Sequence, residues 1–376
     1  MNSSLWRRLA KLTCGCLFFV SSVACAQSPS VQVAEPAGGS VCQNVILVSL
    51  DGFRPEEMFT GADERLMIPE LGVKDLDKYQ RKYGHEDPDQ RRRLLMPHLW
   101  KQIDRGGWIA GNPLHESHVR VTNGMYFSYP GYNELLTGFP DPKVDSNAKK
   151  NNENVTVLEW LNRQPELAGK VAAFSSWDVF PFIINDQRSG LPVNSGWSPL
   201  TIGEPSRLAA LNYAAENTVH EWGGVRYDVY TAAGAMQAMR AMQPRVLYVS
   251  LGETDDWAHS GRYDHYLESA QLDDSFIQQI WDTAQELDPY RGTTAMLITT
   301  DHGRGDGREG WKSHGSDLPG SENIWAAAFG AGVSATGEDH GGSFTQSQVA
   351  ATVAKLLGYD FQASDERIAD PLPICQ

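Results

Sequence analysis

Three runs of β-prone apolar residues, far apart in the chain, each stop at residues that ligate metals. Val45-Ile46-Leu47-Val48-Ser49-Leu50 ends on Asp51-Gly52, and Val246-Leu247-Tyr248-Val249-Ser250-Leu251 leads to Asp255 and His259. Met296-Leu297-Ile298-Thr299-Thr300 ends on Asp301-His302-Gly303. A short, continuous apolar run marks a strand buried on both faces, and such strands build parallel sheets. Their last side chains are delivered to the loops at the sheet's end, where open α/β sheets gather ligands. Further strands are predicted over residues 171–175 and 324–329, and the third run starts at 295. Proline in the first turn predicts a helix over residues 97–103. Leu272, Phe276, Ile277, Ile280 and Trp281 have helical spacing within residues 267–287. Near the end, Thr345-x-x-Gln348 reads as a capping box before Val349, Val353, Leu356 and Leu357, and Gly358 stops that helix. The charged residues 56–93 read as a solvated excursion over the sheet end. Strands alternating with helices predict an α/β three-layer sandwich around a largely parallel sheet.

The first residues stand outside that pattern. Arg7, Arg8 and Lys11 form a basic start, Leu12 to Val23 is apolar but too short to span a bilayer, and Ala24-Cys25-Ala26 fits a cleavage site. This predicts a signal peptide over residues 1–26, a leader over 27–41 and one domain over 42–376, exported to the periplasm or secreted. Cys25 as a lipid-attachment site is the rival reading, disfavoured by Ser22 where an aliphatic residue is expected. No later stretch is apolar for long enough to be a transmembrane helix. Of five cysteines, only Cys42 and Cys375 remain after cleavage. In an oxidising compartment they are expected to form a disulfide that ties the chain ends together.

A composition of 41% hydrophobic and 21% charged residues suits a chain of 376 residues that buries a sizeable core. The net charge of −15 argues against a nucleic-acid-binding surface or attachment to anionic lipid. It would repel an anionic substrate too, unless cations reverse the field locally.

A fourth element is Phe127-Ser128-Tyr129-Pro130-Gly131-Tyr132-Asn133-Glu134-Leu135-Leu136-Thr137-Gly138. Pro130 suits the first turn of a helix and Gly138 its end, leaving Ser128 near the N-terminus, where backbone N–H groups favour an oxyanion. A serine there is a poor nucleophile until a base or metal deprotonates it, and no histidine lies nearby in sequence.

On these residues the chain resembles the alkaline phosphatase superfamily, nearest its type I phosphodiesterase/nucleotide pyrophosphatase branch. Leu50-Asp51-Gly52-Phe53-Arg54 resembles the first metal motif, and Ser128-x-Pro130 with Leu135-Leu136-Thr137-Gly138 the nucleophile segment. Glu253-Thr254-Asp255 with His259, then Asp301-His302-Gly303, then His314-Gly315, resemble the remaining three. The likeness runs from about Val45 to Gly358. It implies Asp51, Ser128, Asp301 and His302 at one metal and Asp255, His259 and His314 at the other. Asp255 and His259 share a helical face, which agrees independently. Imidazole with carboxylate suits two zinc ions, and manganese or iron would fit the same ligands. The resemblance further implies a small-molecule phosphate ester as substrate and a phosphoserine at Ser128, hydrolysed with net retention at phosphorus.

Alternatives are visible in the same residues. His340 competes with His314, which is preferred because a predicted strand follows it as in the family. Asp256, Asp264 and His265 crowd the second motif and read as supporting or solvent-facing groups, and Trp257 or Trp311 would wall a substrate site. Tyr132 occupies the position of an arginine in sulfatases, which disfavours sulfate esters. Gly131 stands where the resembled branch has asparagine. Of Asn147, Asn151 and Asn152, Asn147 is chosen as the phosphate contact. A phosphoryl transferase and a non-catalytic secreted binding protein are the competing functions.

Overall fold

A computed structural model describes residues 42–375, so the predicted signal peptide and leader lie outside the described residues. The main sheet is built from β1 (Asn44–Leu50), β2 (Trp108–Ala110), β4 (Val171–Ser175), β5 (Val193–Ser195), β6 (Val246–Leu251), β7 (Thr294–Thr299), β9 (Ala326–Gly330) and β10 (Gly337–Glu338). Three further strands, β3 (His118–Arg120), β8 (Asn323–Ile324) and β11 (Ser343–Thr345), form a small second sheet. The main sheet runs β10-β2-β9-β7-β1-β6-β4-β5, with β9 the antiparallel member against both β7 and β2. The fold is therefore mixed α/β around a largely parallel sheet. All described residues belong to one compact unit.

The three apolar runs are neighbours. β1 lies between β7 and β6 and is parallel to both, with Ser49 level with Thr299 and Leu50 level with Leu251. Successive side chains of β1 point to opposite faces. Ile46, Val48 and Leu50 enter one core, and Val45 and Leu47 enter the other. With both faces filled, the charged side chains that follow these strands emerge past their last residues.

Helices cover both faces. Tyr263–Glu286 extends the predicted helix by a turn at its start, and Pro97–Asp104 matches its prediction to within a residue. Residues 324–329 are not one strand: Asn323–Ile324 pairs with β3, and Ala326–Gly330 pairs with β7 in the main sheet. Trp325, wholly buried, separates the two and donates its indole N–H to the Phe53 carbonyl at 2.9 Å. The charged stretch 56–93 is not solvated throughout. It folds into short helices and turns whose Leu66, Met67, Leu71, Val73, Tyr79 and Tyr83 enter the core; most of its charges stay on the outer side, but Glu57 and Arg92 are buried. The capping box is half made, because Gln348 accepts from the Thr345 N–H at 2.9 Å but the helix begins only at Gln348.

Cys42 and Cys375 are free thiols, so the predicted disulfide is not formed. The chain ends do meet, since Cys375 pairs with Val333 beside Cys42. The Cys42 thiol instead donates to the Asn44 carbonyl at 3.3 Å, and burial pushes it up to about 11.

One buried carboxylate fixes the helix Pro97–Asp104 to the long helix. Asp274 accepts from the N–H groups of His98 and Leu99, both at 2.8 Å. Asp274→Ala strips both donors of their partner, the Leu99 N–H in a buried place, with an expected loss of about 1–3 kcal/mol in urea unfolding.

Candidate metal centre

Asp51 follows β1 directly, and Asp301 and His302 follow β7, so adjacent strand ends bring the three together. Each carboxylate has one oxygen fixed by the protein and one left bare. Tyr132 donates its hydroxyl to Asp51 Oδ2 at 2.8 Å, and the Gly52 N–H donates to Asp301 Oδ1 at 3.1 Å. Asp51 Oδ1 and Asp301 Oδ2 are buried with no hydrogen-bond partner. Both bare oxygens lie 3.4 Å from His302 Nε2. His302 Nδ1 sits 2.9 Å from the Gly303 carbonyl, which can only accept, so Nδ1 carries the proton and Nε2 presents its lone pair. Ser128 Oγ is 3.4 Å from the same nitrogen.

The second group is built on the helix Glu253–His259 and the loop that carries His314. His259 Nε2 lies 3.2 Å from Asp255 Oδ2 and 3.0 Å from His314 Nε2. His314 Nδ1 faces the Tyr126 carbonyl at 3.0 Å, so its Nε2 is again the bare nitrogen. The rings of His302 and His314 stack at 3.9 Å. Two triads, Asp51–Asp301–His302 and Asp255–His302–His314, each hold donor atoms within 4.8 Å of one another. His302 thus stands between two positions rather than at one.

This donor set fits cations. Burial, then Asp255, push the Asp51 carboxyl well above its ordinary range, and burial, then Asp51, do the same to Asp301. Burial lowers His302 to about 4 and His314 to about 2, keeping both imidazoles in the neutral form that ligates metal. Burial works against Asp255 as well, but Arg304 and His259 hold that carboxyl well below its usual range. Orphaned carboxylate oxygens aimed at bare imidazole nitrogens need a positive charge among them.

Ser128 begins the ten-residue helix Ser128–Thr137, which ends at Gly138 in the left-handed conformation (φ 84°). Gly131 in that helix packs on Asp301, where a side chain would run into the Asp301 carbonyl. That contact explains why asparagine is absent there. Gly52 is equally constrained: its φ is 58°, and a Cβ would lie 2.7 Å from Arg304 and 2.9 Å from Asp255.

Several supporting residues escaped the sequence reading. Arg304, wholly buried, joins Asp255 to the carbonyls of Trp311 (2.6 Å) and Lys312 (2.8 Å), on the approach to His314. It follows Asp301-His302-Gly303 at once, so its place was legible, but its partner 49 residues back was not. Thr254 donates to the Asp51 carbonyl at 2.6 Å, and the Gln346 amide donates to the carbonyls of Thr300 and Asp301 at 3.0 and 2.8 Å. Tyr132 was noted only for the arginine it replaces.

Other expected residues fall elsewhere. His340 stacks on His115 at 4.1 Å. Trp311 is core rather than a wall of the site, and Trp257 packs against Trp222 and His265. Asp264 pairs with Arg262 at 2.8 Å. Asn152 is buried against Asn133, whereas Asn147 accepts from the Tyr129 N–H at 2.9 Å, next to Ser128. Beside the centre, a cleft of about 410 Å³ is lined by Met125, Phe127, Asp145, His314, Asp317 and Leu318.

Neither a protein-family model nor any characterised protein sequence matches the chain. Solved structures do. The alkaline phosphatase PafA aligns with a TM-score of 0.56 at 12% identity, covering 89% of this chain and 99% of that one. The C-terminal periplasmic domain of EptC from Escherichia coli, in complex with Zn, gives 0.53 at 10% identity, covering 89% and 87%. An inactive form of the murine ectonucleotide pyrophosphatase/phosphodiesterase 5, in complex with AMP, gives 0.50 at 12% identity, covering 84% and 95%. The likeness is one of fold: this chain has the alkaline phosphatase superfamily architecture.

Removing the Tyr132 hydroxyl strips Asp51 Oδ2 of its donor. Tyr132→Phe is expected to weaken zinc binding about 10–100-fold, read by competition with a chromogenic chelator.

Proposed function

We propose that this protein is an exported, metal-dependent phosphoester hydrolase acting on a small-molecule phosphate ester, with Ser128 as its nucleophile. The observation that carries the reading is the placement of Ser128 Oγ 3.4 Å from His302 Nε2, beside two carboxylate oxygens with no partner. Asp51, Asp301, His302 and Ser128 would hold one divalent cation, and Asp255, His259 and His314 the other. Zinc suits the donors best, with manganese or iron as substitutes. Bound there, such cations lower the pKa of the serine hydroxyl and offset charge on the attacking and leaving oxygens.

The chain's own residues supply the rest. Ser128 attacks phosphorus in line and displaces the alcohol, forming a phosphoserine. Water then cleaves the phosphorus–serine bond, and two inversions give net retention. The start of the helix Ser128–Thr137 favours the negative charge that builds on the phosphoryl oxygens. Asn147, fixed through its carbonyl on Tyr129, would offer its amide N–H groups to the same oxygens. The cleft lined by Phe127 and Leu318 would receive the leaving alcohol. Tyr132, bonded to Asp51 where a sulfatase carries arginine, supports phosphate over sulfate esters.

Ser128→Ala is expected to keep the metal content of the wild type while losing at least about 1,000-fold in turnover of p-nitrophenyl phosphate or bis-p-nitrophenyl phosphate. A wild type that binds no metal and hydrolyses neither ester would leave a binding protein as the surviving reading. Glycerol phosphate as the main product in glycerol would make the enzyme a phosphoryl transferase. Dialysis against a chelator should abolish hydrolysis and lower the melting temperature, with recovery of both on adding zinc.

A further inference from the structure

The helix Glu253–His259, which carries Asp255 and His259, is held at its start by one buried carboxylate. Asp228 accepts from the Gly252 N–H through Oδ1 at 2.7 Å and from the Glu253 N–H through Oδ2 at 2.9 Å. The bond is returned, because Glu253 Oε1 accepts from the Asp228 N–H at 2.7 Å. Two helices, Asp228–Ala241 and Glu253–His259, thus cap each other through their first residues. Ser176 adds its hydroxyl to Asp228 Oδ1. Two lone pairs on Oδ1 are then used, and one on Oδ2 remains.

Asp273, in the middle of the helix Tyr263–Glu286, reaches this carboxylate. It is wholly buried, and neither of its oxygens meets an N–H or O–H donor. The charged groups that face it are Asp228, Glu253 and Asp274, all acidic. The nearby Arg226 is committed to Thr231 at 2.8 Å and Asn194 at 2.6 Å. A carboxylate anion in that place would be desolvated, unpaired and repelled from three sides. A carboxylic acid would instead be a donor facing a carboxylate with one vacant lone pair. Burial, followed by Asp228 and Glu253, pushes the Asp273 carboxyl well above its ordinary range, in agreement with that geometry.

We propose that Asp273 stands as a neutral carboxylic acid that donates its proton to Asp228, and so fixes the cap that positions Asp255 and His259. It is a positioning residue and touches neither phosphate nor cation. Its effect on metal binding rests on the proposed function; the shared proton does not.

Asp273→Asn keeps the shape and a donor, whereas Asp273→Ala removes the donor. The asparagine variant is expected to bind both zinc ions as the wild type does. The alanine variant should lose about 10–100-fold in affinity for one of the two and keep the other. The sign of the pH effect follows from the raised pKa: folded wild type keeps a proton that the unfolded chain releases above about pH 4. Wild-type stability therefore falls as pH rises, and the melting temperature of Asp273→Asn should gain on that of the wild type between roughly pH 5 and pH 8. Infrared difference spectra should show a protonated-carboxyl band in the wild type that is missing from the asparagine variant. An asparagine variant as damaged as the alanine one, or one with no pH-dependent gain and no lost band, overturns the proposal. Unchanged zinc binding in Asp273→Ala overturns the positioning role. Should the wild type bind no zinc, the proposed function fails, and melting and infrared data still decide whether the proton is shared.

Discussion

Three carboxylates at the ends of adjoining strands cannot all remain ionised without counter-charge, and the whole site is organised around that fact. Unit charges 4 Å apart repel by about 4 kcal/mol at an effective dielectric of 20. The protein places one guanidinium, Arg304, on Asp255, and leaves Asp51 Oδ1 and Asp301 Oδ2 bare. Everything nearby keeps those oxygens aimed rather than quenched. Tyr132 and the Gly52 N–H fix the opposite oxygen of each carboxylate. Carbonyl groups on Nδ1 turn two imidazoles so that their lone pairs face inward.

Close backbone approach makes this geometry possible. Gly52 lets the chain leave β1 with positive φ under Arg304, and Gly131 lets the helix Ser128–Thr137 lie on the Asp301 carbonyl. Neither position has room for a side chain: Gly131 lies against the Asp301 main chain, and Gly52 against the side chains of Arg304, Asp255 and His302.

Much of this was legible in the chain. Continuous apolar runs gave the central strands because burial on both faces leaves no ambiguity about period. Five of the seven expected site residues, Asp51, Asp255, His259, Asp301 and His302, come together because those runs are adjacent in the sheet, a topology that periodicity alone does not specify. What was hidden depended on distance in sequence. Arg304 was visible as a residue but not as the partner of Asp255, and nothing in the sequence singled out Asp228 or Asp273. Residues 56–93 were misread because high charge masked apolar positions too irregularly spaced to show a period. Trp325 divided one apparent strand between two sheets, since a bulky buried ring that bonds to Phe53 leaves the strand ladder. The expected disulfide is not formed, because the Cys42 thiol is turned toward the Asn44 carbonyl.

Gln346 closes the site from the far end of the chain. Its amide spans the carbonyls of Thr300 and Asp301, and the helix Gln348–Leu356 follows at once. A growing polypeptide emerges N-terminus first, so Asp51 and Ser128 are made long before the group that steadies Asp301. The carboxylates and imidazoles therefore cannot reach their final arrangement until Gln346 has been made. A chain arrested short of Gln346 would present loose carboxylates and imidazoles on an unfinished sheet, open to the wrong ion. Closure of the strand ends is consequently a late step of folding, set by the residue just ahead of the helix Gln348–Leu356.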